Sequence, residues 1–103
     1  MQLQINTARG TQHSDSLERF VKDSLGTVER RFGDMLTRVE IFLSDVNGPK
    51  GGVNKQCKME ARPRGQDPVL AEGLAEDAYD AVSQSAKRLE KVLANRFGKL
   101  GRR

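Results

Sequence analysis

The sequence contains little of the side-chain chemistry on which enzymes, metalloproteins and disulfide-bonded proteins depend. Cys57 is the only cysteine, His13 is the only histidine, and tryptophan is absent. One cysteine has no partner for an internal disulfide, and one thiol with one imidazole does not make a metal site. Glycine-rich phosphate loops and nucleophile motifs are also missing. The sequence therefore predicts a protein that is not an enzyme and that uses no metal, no cofactor and no small-molecule substrate, with Cys57 as an apolar core residue.

Long apolar runs are missing as well. No segment approaches the roughly 20 apolar residues that a membrane-spanning helix requires. Residues 1–10 have no apolar centre of the signal-peptide type. We therefore expect a soluble cytoplasmic protein that does not contact a membrane.

Positive charge, in contrast, is concentrated at one end of the chain. Residues 87–103 carry seven basic side chains and one acidic one, whereas residues 1–86 carry eleven basic and thirteen acidic ones. This asymmetry favours a polyanionic partner, either nucleic acid or anionic lipid. The few aromatic residues, four Phe and one Tyr, argue against stacking of single-stranded bases and favour structured RNA recognised by backbone and shape.

Hydrophobic periodicity predicts the element order β-α-β-β-β-α within one domain of residues 1–103, which ends in a basic tail at about 98–103. Alternating apolar and polar residues predict strands at 2–6, 36–46, 53–62 and 69–74. Which side of the last strand faces the core stays open, because Leu70 and Leu74 alternate with Val69 and Ala71. A flexible, glycine-rich tip is expected at 47–52.

Apolar residues at steps of three and four predict two helices. The first begins at a Ser14 or Ser16 cap and ends at Gly33 in a left-handed conformation. Its apolar stripe comprises Leu17, Phe20, Val21, Leu25, Val28 and Phe32. The last helix has about six turns, begins near Glu76 and Asp77, and has a stripe of Ala78, Ala81, Val82, Ser85, Leu89, Val92, Leu93 and Leu100.

These elements define an α+β fold. A helical crossover makes the first two strands parallel, and the following turns make antiparallel neighbours. We expect a four-stranded mixed sheet with two helices packed on one face.

The last helix carries the strongest candidate surface. At 100° per residue, most of its basic side chains lie opposite or beside the apolar stripe, and Arg96 projects past the edge of the sheet. A solvated helix face is the alternative, but such faces usually alternate acidic with basic residues. The candidate RNA-binding residues are Lys87, Arg88, Lys91, Arg96, Lys99, Arg102, Arg103, Arg30, Arg31 and Lys50.

Several segments, in their order and spacing, also match a known family. They are Met1-Gln2-Leu3-Gln4-Ile5, Leu17-Glu18-Arg19-Phe20-Val21, Arg31-Phe32-Gly33-Asp34, Val39-Glu40-Ile41-Phe42-Leu43, Glu76-Asp77-Ala78-Tyr79-Asp80-Ala81-Val82 and Lys87-Arg88-Leu89-Glu90-Lys91-Val92-Leu93. Over nearly its whole length the chain resembles the ribosome hibernation-promoting factors and ribosome-associated inhibitors, in a short form without the extra dimerising domain.

The resemblance implies a bacterial, stress-responsive translation regulator, monomeric when free, that binds the small ribosomal subunit and its ribosomal RNA where messenger and transfer RNA would sit. It also implies that Arg88, Lys91 and Lys99 contact ribosomal RNA. Ser24, Thr27 and Asn95 stand where the family usually has basic residues.

Two alternatives remain. A double-stranded-RNA-binding module also has two helices on a small sheet, but it presents basic residues at the start of its last helix, where this chain has Glu76, Asp77 and Asp80. A protein-interaction domain would use the open face of the sheet, with Phe42 as an anchor.

Overall fold

A computed structural model of the chain describes residues 1–8, 14–46 and 54–101, of which 99–101 are described as backbone only. The strands are β1 (Gln2–Thr7), β2 (Leu36–Asp45), β3 (Lys55–Pro63) and β4 (Val69–Ala75), and the helices are α1 (Asp15–Ser24), α2 (Gly26–Phe32) and α3 (Ala78–Gly101). A short 3-10 helix, Gly33–Met35, precedes β2. None of the described helices is long and apolar enough to cross a membrane.

The sheet has the strand order β1-β2-β3-β4. β1 pairs in parallel with β2, with Leu3 opposite Val39, whereas β3 and β4 join as antiparallel neighbours. The predicted α+β class and mixed sheet are therefore confirmed. The predicted count of two helices is wrong, because the first helical segment forms both α1 and α2.

The break between α1 and α2 lies at Leu25, whose backbone angles of φ −93° and ψ 7° are outside the helical range. Leu25 still donates its N–H to the Val21 carbonyl and accepts from the Glu29 N–H, so the chain direction changes little. Gly26 follows directly, and glycine costs about 1 kcal/mol in a helix interior relative to alanine. The apolar stripe continues across the break, which explains why periodicity predicted one helix.

The caps of this segment agree with the prediction only in part. Ser14 is the N-cap, since its side-chain oxygen accepts the N–H of Leu17 at 3.1 Å. Gly33, however, has φ −53° and is right-handed. The predicted left-handed cap is therefore wrong: the chain continues through Gly33 into the 3-10 helix.

The core lies between the helices and one face of the sheet. Buried residues come from every helix and from β2, β3 and β4, while Leu3 and Ile5 of β1 are half-buried. In α3 the buried positions are Ala81, Val82, Ser85, Ala86, Leu89 and Leu93. Val92 was predicted in this stripe but is 37% exposed. Ala86 was missed, and the side chain of Leu100 lies outside the described residues.

α1 and α2 run beside α3 in the same direction. Near the start of both helices, the rings of Phe20 and Tyr79 meet edge to face at 5.1 Å between centroids. Near the other end, Phe32 and Phe97 stack at 5.7 Å. The N-terminal ends of the helices therefore share one end of the molecule, and the C-terminal ends share the other.

β4 settles the orientation that the sequence left open. Val69, Ala71, Gly73 and Ala75 face the helices, whereas Leu70, Glu72 and Leu74 face solvent. A Cβ atom at Gly73 would collide with the carbonyl oxygen of Ala81 and lie 2.9 Å from the backbone nitrogen of Ser85. The small residues therefore face inward because α3 lies close against this strand.

Candidate nucleic-acid interface

Among the basic residues of α3 whose side chains are described, Lys87 and Lys91 are the most available for binding. Both are exposed on a helix that is anchored to the sheet by Leu89 and Leu93. They are four residues apart, so their side chains lie on the same side of α3. Among the described residues, no carboxylate forms an ion pair with either lysine. Two ammonium groups with free donors and no counter-charge suit a phosphate backbone.

Arg88 is exposed as predicted, but its guanidinium already has a partner. Nη1 donates to the backbone carbonyl of Glu72 on β4 at 2.7 Å. One turn earlier, Gln84 accepts the backbone N–H of Leu74 through its side-chain oxygen at 3.1 Å. β4 is an outer strand of the sheet, so these two side chains satisfy backbone groups that would otherwise be free at its edge. Arg88 thus has a structural role that the sequence did not suggest.

Arg96 lies where the helical arithmetic predicted, on the sheet side of α3 beyond the end of the strands. Its Nη1 donates to the side-chain oxygen of Gln66 at 3.2 Å and to the carbonyl of Asp67 at 3.3 Å. Arg96 therefore holds the turn between β3 and β4 against the helix. Its partners are neutral oxygens, so its charge is not cancelled by a carboxylate there.

Arg30 and Arg31 differ from one another in their surroundings. Arg31 forms an ion pair with Glu90 of α3 at 3.0 Å and lies 4.8 Å above the ring of Phe32. Arg30 is exposed, and within the described part of the chain its side chain donates only to the hydroxyl of Thr27, at 3.1 Å. Arg31 thus links the two helices, while Arg30 keeps its full charge toward solvent.

Four predicted site residues have no described side chain. Lys50, Arg102 and Arg103 lie outside the described residues, and for Lys99 only the position within α3 is described. The predicted glycine-rich tip at 47–52 and most of the tail at about 98–103 fall in the same category.

The open face of the sheet is mixed in character. Phe42, the anchor proposed from the sequence, is 38% exposed, and Leu70 and Leu74 are 60% and 43% exposed. The ion pair between Lys58 and Glu72, at 3.9 Å, lies between Phe42 and the two leucines. The apolar side chains therefore do not form one continuous patch.

A charged network occupies the same face at the end near the 3-10 helix. Glu40 pairs with Arg38 at 3.3 Å and with Arg62 at 3.5 Å, and Arg62 also pairs with Glu60 at 3.1 Å. Two arginines and two glutamates leave no net charge. This network therefore stabilises the pairing of β2 with β3 and offers little attraction to a polyanion.

Asp45, the last residue of β2, is held by partners at the start of the returning strand. It accepts from Lys55 at 2.9 Å and from Asn54 at 3.1 Å. No group of three or more His, Cys, Asp or Glu side chains in the described part of the chain could hold a metal ion.

Cys57 is buried in β3 beneath α3, in the core position expected from the sequence. Burial raises its pKa to about 11, although a hydrogen bond with Ser85 lowers it in part. The thiol is therefore protonated at neutral pH and is poorly suited to act as a nucleophile or metal ligand.

The fold and its helix layer define a small α+β domain, with a four-stranded mixed sheet on one side and a surface carrying unpaired lysines on the other. The chain belongs to the family described as sigma 54 modulation protein / S30EA ribosomal protein, whose model matches residues 4–100. The family resemblance stated from the sequence is thus confirmed.

Solved structures agree on the fold. A ribosomal subunit interface protein from Coxiella burnetii has a TM-score of 0.78 at 18% identity, over 95% of this chain and 99% of that one. The N-terminal domain of Thermus thermophilus Protein Y has a TM-score of 0.73 at 21% identity, over 92% and 98% of the two chains. No curated protein sequence matches this chain significantly.

Proposed function

We propose that this protein binds the small ribosomal subunit in the channel that messenger and transfer RNA use. There it inhibits translation by occupying the site, and so keeps ribosomes in hibernation. It acts as a monomer in the bacterial cytoplasm and contacts ribosomal RNA. Family membership over residues 4–100 supports a ribosomal partner, and the Coxiella burnetii relative in fold is itself a ribosomal subunit interface protein.

The observation that carries the proposal is the pair of lysines on α3. Lys87 and Lys91 are exposed on one side of a rigid helix, and no described carboxylate neutralises them. Contacts to phosphate position a protein on RNA without reading its sequence. Membership in a family described in part as ribosomal protein, together with this helix, is best explained if the helix faces ribosomal RNA.

The other basic residues differ in how much charge they have available for RNA. Arg30 and Arg96 add charge that no described carboxylate pairs, while Arg31 is partly neutralised by Glu90. Arg88 serves mainly to hold the edge of β4. Lys50, Lys99, Arg102 and Arg103 remain proposed contacts on the basis of their charge and position in the sequence.

Occupancy rather than chemistry is the proposed mechanism. The buried thiol of Cys57 is protonated at neutral pH, and the clusters described above consist of ion pairs and caps that stabilise the fold. A rigid α+β body in the channel excludes transfer RNA by volume alone. Inhibition should therefore be stoichiometric with ribosomes, and subunits washed free of the protein in high salt should regain activity with intact RNA.

Of the alternatives, a double-stranded-RNA-binding module would require phosphate near the start of α3. There Asp77 accepts the backbone N–H of Tyr79 at 2.6 Å, and Glu76 and Asp80 are exposed. These carboxylates would repel phosphate. The interrupted apolar surface around Phe42 likewise gives no support to a dedicated protein-interaction face.

The test is co-sedimentation with purified small subunits over a range of salt concentrations. If about five phosphates are neutralised, log affinity should fall with log salt at a slope of roughly −4. The double variant Lys87→Glu/Lys91→Glu should lose binding by about 100-fold or more at moderate salt, because two contacts become repulsions.

The matched control is Lys22→Glu/Lys58→Glu, which changes the net charge equally on other surfaces. Lys22 pairs with Glu18 on α1 and Lys58 with Glu72 on the open face. We expect this control to bind nearly as well as the wild type. Equal losses in both variants would show that only net charge matters, and unchanged binding of the Lys87/Lys91 variant would overturn the proposed contact surface.

A further inference from the structure

The turn between β3 and β4 is fixed to the rest of the molecule by its first residue. Arg64 donates its backbone N–H to the carbonyl of Met35 at 3.0 Å, and its Nε donates to the carbonyl of Asp34 at 3.2 Å. Both acceptors belong to the 3-10 helix that follows α2. The turn is therefore tied to the structure at the C-terminal end of α2.

Helix α3 also holds this turn. Arg96 of α3 donates to Gln66 and Asp67. Gly65 supplies the positive φ of 70° that the turn needs between these two attachments. The turn therefore forms a fixed bridge between the end of α2 and the second half of α3.

Arg64 keeps most of its hydrogen-bonding capacity at this position. Its side chain is exposed, and only Nε is used within the described part of the molecule. The two Nη groups remain available, and the bond at Nε restricts the orientation of the guanidinium plane. An arginine held in this way loses less side-chain entropy when it binds an anion than a free one.

The surroundings of Arg64 carry excess positive charge. We define the basic end as residues 26–35, 64–68 and 87–98, which contain seven basic and four acidic side chains. The second group, residues 14–25, 42–46, 54–59 and 70–86, extends to the other end of the molecule and meets the basic end where Arg88 bonds to Glu72. It contains four basic and eight acidic side chains. The neutral network of Arg38, Glu40, Glu60 and Arg62 belongs to neither count. A polyanion is therefore attracted to one end of the molecule and repelled from the other.

We propose that Arg64 is an additional phosphate-binding residue, and that the RNA backbone continues from Lys87 and Lys91 around the basic end to reach it. The inference rests on the proposed function, because it extends the surface through which the protein contacts RNA. The ligand it takes is a phosphodiester of structured RNA. Arg64 was not among the predicted contacts, because it lies in a turn, apart from the helical charge pattern.

The experiment measures binding of wild type and Arg64→Glu to two probes: purified small ribosomal subunits and an A-form RNA duplex of arbitrary sequence. Arg64→Glu should weaken binding to the subunits by about tenfold and make the salt slope shallower by about 1. Arg64→Lys should retain most of the affinity, because it keeps the charge. Arg64→Met removes the charge without reversing it and serves if Arg64→Glu does not fold.

Lys58→Glu on the open face is the matched control, and it should bind as the wild type does. The proposal is overturned if Arg64→Glu and Arg64→Met bind both probes as tightly as the control. If the wild type binds the duplex but not the subunits, and Arg64→Glu weakens that duplex binding, the proposed function fails while the role of Arg64 stands. If the wild type binds neither probe, both proposals are wrong.

Discussion

The two halves of α3 have different roles, although they form one continuous helix. The first half lies close against β4, where Gly73 allows backbone contact and Gln84 and Arg88 bond to the edge of the strand. The second half extends past β4, where Arg96 bonds to the turn between β3 and β4, and it presents Lys91 to solvent. The first half determines the position of the helix, and that position determines where the charges of the second half point.

Positive charge in the sequence does not tell which residues of α3 bond to the sheet and which extend into solvent. Arg88 and Lys91 are adjacent in the predicted basic surface, yet Arg88 bonds to the sheet and Lys91 extends into solvent. The difference arises because Arg88 lies on the side of α3 that faces the outer strand. Val92, one turn after Arg88, is 37% exposed.

The largest expected effect comes from filling the close contact in the first half. Gly73→Ala should destabilise the protein by about 3 kcal/mol or more, because the added methyl group meets backbone atoms of Ala81 and Ser85 that move only with the whole helix. Urea unfolding followed by circular dichroism measures this change.

The matched substitution in the second half is Gly98→Ala. A Cβ there would meet no atom within 4 Å, and alanine favours a helix over glycine by about 1 kcal/mol. Gly98→Ala should therefore leave stability unchanged or raise it. Equal destabilisation by both substitutions would contradict the contrast between the two halves.

An intermediate effect is expected from Cys57, which is buried beneath the first half of α3 and makes the free energy of unfolding depend on pH. Below pH 9.0, the Cys57 thiol is protonated in the folded and unfolded states, so it contributes no pH dependence. Between 9.0 and about 11 it ionises only in the unfolded state, and stability falls as pH rises. Between pH 8 and pH 10 the loss should be on the order of 1 kcal/mol.

Cys57→Ala isolates the contribution of the thiol, because the variant lacks the thiol and keeps every other group. The alanine variant should show a smaller loss than the wild type over the same pH range. Parallel curves for the two proteins would mean that the thiol is not shielded as its burial indicates.

The smallest effect separates the roles of Arg88 and Lys91. Arg88→Met keeps the aliphatic stem but removes the bond to the Glu72 carbonyl, and it should cost about 1 kcal/mol of stability with little change in subunit binding. Lys91→Met should weaken subunit binding and leave stability nearly unchanged. Unfolding and co-sedimentation, measured on both variants, test the pair, and a larger binding loss for Arg88→Met would assign it to the RNA surface instead.

The sequence predicted the strand order, the parallel first pair and most of the apolar stripe of α3, because these follow from periodicity and connection rules. It did not predict the break at Leu25, because the apolar stripe of α1 continues in α2 with unchanged spacing. The sequence also did not predict which side of β4 faces the core. The larger residues Leu70 and Leu74 face solvent and the small ones face the core, so hydrophobicity alone pointed both ways.

The candidate site was predicted less completely than the fold. Lys87 and Lys91 were identified from charge on the outer side of a helix, which requires only helical geometry. The bonds of Arg88 and Arg96 depend on which strand and turn lie next to α3, and no local pattern encodes that. Arg64 could have been suspected as a basic residue between Pro63 and Gly65, a sequence typical of an exposed turn.

The bonds from Gln84 and Arg88 to β4 also bear on assembly. A sheet that grows into a filament must accept a new strand at both outer edges, because each added copy has to present a site for the next. With the Leu74 N–H and the Glu72 carbonyl already engaged, β4 has fewer free backbone groups for a new strand. The side chains of α3 therefore make this edge a poorer template for strand addition. A sheet that is hindered at one edge grows less readily into a filament, even where many copies are crowded together.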